Sequence, residues 1–146
     1  MFDSTRIAPV ARITAGQELV ALDGAAPIRD AARLMAERRI GSVAVRENGR
    51  LVGLVTDRDL VVTVLARGGS ASQPMRDAMR VGIPRVDAET TEADCASLMR
   101  DYATHHLLVE DRGEVVGVVS MRDLTQVMLD EQRHVISQLA TYINGH

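Results

Sequence analysis

Gly53-Leu54-Val55-Thr56-Asp57-Arg58-Asp59-Leu60 recurs as Gly117-Val118-Val119-Ser120-Met121-Arg122-Asp123-Leu124. Each copy reads glycine, two aliphatics, a hydroxyl residue, one variable position and then Arg-Asp-Leu. The offset is 117 − 53 = 64 residues. At that offset the match extends without a gap from about Glu18–Leu65 onto Gly82–Leu129, and it keeps several residue classes in register. Asp23 falls on Asp87, Asp30 on Asp94, Leu34-Met35 on Leu98-Met99, and Gly49 on Gly113. A repeat of this length dictates the architecture before local propensities are weighed.

Each copy carries one order of elements. Glu18–Leu22 is a short apolar run and reads as a strand. Pro27 suits the first turn of a helix, where its missing N–H costs nothing. Ile28, Ala31, Ala32, Leu34, Met35 and Ala36 then form a helical stripe through about Arg38. Ser42–Arg46 and Leu51–Val55 read as strands around Asn48-Gly49, a strong hairpin signal. Asp57–Arg67 reads as a second helix. In the second copy Ile83–Asp87, Thr91–Asp101, His106–Glu110, Val115–Val119 and Met121–Asp130 follow the same β-α-β-β-α order. Arg112-Gly113 takes the turn, and Thr91 with Asp94 resembles a capping box. Gly68–Pro74 is the linker, and Met1–Pro9 reads as loosely held. About Asp130–Asn144 reads as a continued or separate helix with Val135, Ile136, Leu139, Tyr142 and Ile143 on its apolar side.

Composition excludes several classes. The single cysteine, Cys95, leaves no intrachain disulfide and no Cys-based zinc site. It falls at the position of Ala31 and reads as a small core residue, as Met35, Met79, Met99 and Met128 read as packing. All 17 basic residues are arginine, so lysine Schiff-base chemistry and a phosphate-loop lysine are absent. Those arginines are dispersed and the net charge is −3, which argues against nucleic acid as the partner. With Phe2, Tyr102 and Tyr142 as the aromatics, there is no base-stacking platform. Runs such as Leu60–Ala66 fall far short of the ~20 residues that span a bilayer. Reduced thiol usage and no signal peptide point to the cytoplasm. No nucleophile–base pairing is evident, so the chain reads as non-enzymatic.

The chain resembles a tandem pair of CBS domains, a Bateman module of the stand-alone type. The resemblance covers roughly Val10–Asp130. It rests on the twice-present Gly-aliphatic-aliphatic-Thr/Ser-x-x-Asp signature, on Arg33–Val43, and on Val81–Thr91. Ala44 and Leu108 stand where the family often has proline, and Ala26 where it commonly has a capping hydroxyl. The resemblance implies an α+β (mixed α/β) fold of two β-α-β-β-α repeats packed about a pseudo-twofold, plus a C-terminal helix. Residues 10–67 are then the first repeat, 68–74 the linker, 75–130 the second repeat and 131–146 a helical tail, all in one compact module.

It also implies a function. Clefts between the repeats would bind an adenine nucleotide or adenosyl ligand (AMP, ADP, ATP or S-adenosylmethionine), with no obligatory cofactor and no metal. Thr56 and Ser120 would lie near phosphate and Asp59 and Asp123 on the ribose diol, since a strand-to-helix junction offers free N–H groups. The same four residues also make a sound helix cap without any ligand. His105 and His106, which fall on Gly41 and Ser42 at the repeat offset, would meet phosphate. Arg58 and Arg122 would reach phosphate or pair with local acids such as Asp57. Val20, Ala21, Ile83 and Pro84 would hold the base. The module would act on an unidentified protein partner and form a homodimer. The alternative is a ligand-independent dimerisation or protein-interaction module.

Overall fold

The computed structural model describes residues 8–145; Met1–Ile7, in the segment expected to be loosely held, lie outside them. In chain order the elements are α1 (Ala11–Thr14), β1 (Ala21–Asp23), α2 (Ile28–Arg38), β2 (Ser42–Glu47), β3 (Arg50–Thr56) and α3 (Asp57–Leu60), which widens into a π-helical stretch over Val61–Ala66. A 3₁₀ turn (Met75–Asp77) precedes β4 (Arg85–Asp87), α4 (Glu92–Asp101), β5 (His106–Asp111), β6 (Glu114–Ser120) and α5 (Met121–Asn144). The first strand of each repeat begins later than the apolar run suggests. Of the two forms read for the tail, a continued or a separate helix, it takes the first: α5 passes through Asp130 without a break.

Two compact units result. One is Glu18–Ile83; the other joins the residues before Glu18 to those from Pro84 onward. Each holds a three-stranded sheet, ordered β1-β2-β3 or β4-β5-β6, with the first pair parallel and the second antiparallel. The hairpins are tight because both central residues have positive φ: Asn48 and Gly49 at 52° and 76°, Arg112 and Gly113 at 53° and 81°. That is the conformation a two-residue turn needs to follow the strand twist. Both β2 and β5 bury three consecutive residues, Val43–Val45 and Leu107–Val109, and are therefore covered on both faces.

The core of the first unit gathers Ile28, Ala31, Met35, Val43, Val45 and Val55 together with Met75 and Ala78. Met75 comes from beyond the linker, and its amide donates to the Ala26 carbonyl at 2.8 Å. The linker is likewise docked, with the Ile28 amide donating to Gln73 O at 2.8 Å. In the second unit Val10 joins Val86, Cys95, Met99, Leu107, Val109, Val119 and Leu124. Pro9, expected to be loose, pairs with Thr91, and the Val10 amide donates to Thr90 O at 2.7 Å. The segment leading into each repeat thus belongs to the unit built on the other repeat's sheet.

Arg12 and Glu92 fasten the second unit. Arg12 Nε and Nη2 donate to the two Glu92 oxygens at 2.7 and 2.8 Å. This hydrogen-bonded pairing holds the guanidinium above its ordinary pKa. Of the methionines read as packing, Met128 is 45% exposed and is not core.

Cys95 is fully buried, and burial foremost, with Asp94 and Glu92 nearby, pushes its thiol up to about 11. An unfolded thiol titrates near ~8.5. The folded pKa is the higher one, so the unfolded state loses its proton first. Stability from this group is therefore complete below about pH 8.5 and declines as pH rises toward the folded value. Urea midpoints taken from neutral to strongly alkaline pH should fall more steeply in the wild type than in Cys95→Ala. Equal slopes would refute a buried, protonated thiol.

Candidate functional site

The repeated octapeptide forms the same local structure twice. In each copy β3 or β6 ends at the hydroxyl residue and the helix begins at the next position. Thr56 and Ser120 are the N-caps, with extended backbone (φ −105° and −106°), and both make the full reciprocal box. The Asp59 amide donates to Thr56 Oγ1 at 3.2 Å and the Thr56 amide to Asp59 Oδ2 at 2.9 Å. The matching distances in the second copy are 3.1 Å from the Asp123 amide to Ser120 Oγ and 2.8 Å from the Ser120 amide to Asp123 Oδ2. At α4 only half a box forms, since the Asp94 amide donates to Thr91 Oγ1 without the return bond.

Strand register brings further candidates to these junctions. Ser42 lies directly opposite Thr56, and His106 directly opposite Ser120. Directly opposed side chains share a face, with Cβ atoms about 5 Å apart. The His105 carbonyl accepts from the Met121 amide at 2.9 Å, as the Gly41 carbonyl does from Asp57 at 3.0 Å. Adjacent strand positions face opposite sides, so His106 is aligned with Ser120, while His105 is exposed and lies beside Met121. His106, Ser120 and Asp123 thus form one cluster, and Ser42, Thr56 and Asp59 the other.

The remaining candidates are more peripheral. Val20 and Pro84 are half-buried, and their carbonyls accept from Ala44 and Leu108 at 2.8 and 2.9 Å. Ala21 is half-buried opposite Ala44, and Ile83 is half-buried as well. Arg58 and Arg122 are exposed, and among the described residues neither makes an ion pair. The expected pairing of Arg58 with Asp57 does not occur; the Asp57 carboxylate instead accepts from the Arg58 backbone amide at 2.8 Å. No cluster of His, Cys, Asp and Glu among the described residues could hold a metal ion.

One site residue escaped the sequence reading. Arg80 Nε donates to Asp59 Oδ1 at 2.8 Å. Nothing in the octapeptide signals this, because at the repeat offset Arg80 falls on Gly16.

The sequence model of the CBS domain matches residues 10–66 and again residues 75–130. The chain belongs to the CBS-domain family. Its tandem CBS repeats are 30% identical over 97 residues to the CBS domain-containing protein YhcV of Bacillus subtilis (strain 168), spanning 66% of this chain and 69% of that one. The fold matches a CBS-domain protein of Burkholderia ambifaria MC40-6 assigned to signal transduction, with a TM-score of 0.79 and 27% identity over 86% of this chain and 96% of that one. It also matches the CBS domain protein PAE2072 of Pyrobaculum aerophilum, solved in complex with AMP. There the TM-score is 0.68 and the identity 28%, over 79% of this chain and 88% of the relative. No helix among the described residues of this CBS pair is long and apolar enough to cross a membrane.

Proposed function

We propose that this CBS pair is a non-enzymatic regulatory module of the cytoplasm that senses an adenine nucleotide or adenosyl ligand and relays its presence to a protein partner. The observation that carries the reading is the second cluster. Ser120 caps a helix of 24 residues, His106 stands opposite it in register, and the Asp123 carboxylate lies three positions into the junction. A helix N-terminus and an imidazole suit phosphate, and a carboxylate suits a ribose diol. The AMP complex of the Pyrobaculum relative supports the same ligand class. Residues flanking the first strands, Val20, Ala21, Ile83 and Pro84, would contact the base.

A second reading has its own support. Both boxes are satisfied internally, so they explain themselves as caps, and Ile136, Leu139, Tyr142 and Ile143 on α5 are exposed. The chain would then be a ligand-independent homodimerisation or protein-interaction module. Calorimetric titration with AMP, ADP, ATP and S-adenosylmethionine separates the two. The nucleotide reading expects heat with at least one ligand and a loss of at least about tenfold in affinity in Asp123→Ala, equivalent to ~1.4 kcal/mol. No heat with any of the four, alongside a dimeric mass in light scattering that is lost on deleting 131–146, would establish the second reading instead.

A further inference from the structure

The two signatures share a sequence and a cap, but their carboxylates differ. Asp59 has both oxygens engaged. Oδ2 accepts from the Thr56 amide and the Thr56 hydroxyl, each at 2.9 Å, and Oδ1 accepts from Arg80 Nε at 2.8 Å. The Asp59 side chain is 11% exposed. Asp123 Oδ2 accepts from the Ser120 amide at 2.8 Å, and among the described residues no cation reaches this carboxylate. Asp123 is also half-exposed where Asp59 is buried.

The difference originates in the segments that run beside β3 and β6. Arg80 exchanges two backbone hydrogen bonds with Leu54, at 3.0 and 2.9 Å, so its guanidinium reaches Asp59 from an anchored backbone. Against β6 that place is taken by the segment ending at Gln17, whose Oε1 accepts from the Val118 amide at 3.3 Å. Residues 13–17 read Ile-Thr-Ala-Gly-Gln and hold no cation.

A charge-assisted arginine–carboxylate bond is roughly twice as strong as a neutral one. A neutral ribose hydroxyl approaching Asp59 Oδ1 would have to share that oxygen with the anchored guanidinium or displace it. We infer that Arg80 is a latch that closes the first signature to a diol, leaving Asp123 as the open carboxylate. The chain then takes one equivalent of nucleotide rather than two. This inference rests on the reading of the signatures as nucleotide contacts.

Calorimetric titration of the full chain with AMP reads the stoichiometry. The wild type should take one equivalent, Arg80→Ala two, and Arg80→Ala combined with Asp123→Ala one. Arg80→Gln removes the charge while keeping a polar side chain that reaches as far as the Arg80 Nε. It should also take two equivalents and serves if the alanine variant melts early by circular dichroism. Two equivalents in the wild type would overturn the latch while leaving the nucleotide reading intact. So would a folded Arg80 variant that still takes one, or one that loses the wild-type site. An absence of heat with AMP, ADP, ATP and S-adenosylmethionine, in the wild type and in both single Arg80 variants, would remove the nucleotide reading itself, and the latch with it.

Discussion

Arg12→Ala should destabilise the folded chain by about 3–5 kcal/mol. The Glu92 side chain is 1% exposed, and the two Arg12 nitrogens are its side-chain partners, at 2.7 and 2.8 Å. Removing the guanidinium leaves a buried carboxylate without compensation. The N-terminus of α4 supplies only a partial positive charge toward it. The reverse change is milder. Arg12 is 39% exposed and water can solvate it when its partner is gone. Glu92→Gln keeps the shape and one acceptor, and its cost should be nearer ~1–2 kcal/mol. Urea denaturation at constant m-value measures both changes. Equal losses from the two substitutions would show that burial of Glu92 is not what makes the pair matter.

Gly53→Ala should cost about 3 kcal/mol, and Gly117→Ala clearly less, although both are the first residue of the same octapeptide. A Cβ on Gly53 would stand 2.7 Å from the Arg80 carbonyl oxygen and 2.8 Å from Met79 Sδ. The carbonyl is backbone and is tied to Leu54, so relief requires moving the whole segment. That movement would break both Leu54–Arg80 hydrogen bonds and draw Arg80 from Asp59. On Gly117 the nearest atoms are Gln17 Oε1 at 2.7 Å, the far end of a flexible side chain, and Thr14 Cγ2 and Cβ at 2.9 and 3.0 Å, so relief takes a small shift of Thr14 and no backbone carbonyl is among these atoms. Thermal or urea unfolding of the two single variants tests the asymmetry. A Gly117→Ala loss as large as that of Gly53→Ala would mean that the glycines serve strand geometry rather than the neighbouring segment.

Much of the fold was legible because its determinants lie close together along the chain. The Asn48-Gly49 and Arg112-Gly113 turns form from residues whose positive φ is a local preference. The Thr56–Asp59 and Ser120–Asp123 boxes close over three residues. The helix over Ile28–Arg38 follows its apolar stripe. Two elements depart from the local pattern. Val61–Ala66 was expected to continue an α-helix and is π-helical, and the structure offers no local sequence cause for it. Pro27, expected inside the first turn, is the cap itself, with extended backbone at ψ 146°.

The candidate site divides in the same way. Its hydroxyls and carboxylates were visible in the repeat, but the turn register alone would set His106 opposite Val119, and the shift between Val109 and Glu110 is what brings it opposite Ser120. The state of each carboxylate could not be read. By itself the sequence determined the duplication, the order of elements in each copy and the caps, because these follow from side-chain alternation and from bonds spanning a few residues. Only the tertiary structure decided that Met75 completes the first core and Val10 the second, and that Asp59 is paired with Arg80 while no cation among the described residues meets Asp123. Arg80 meets Asp59 from 21 residues away, and Arg12 meets Glu92 from 80. A bond of that span depends on where folding lays the connecting segment, and the octapeptide, nearly the same in both copies, carries no record of it.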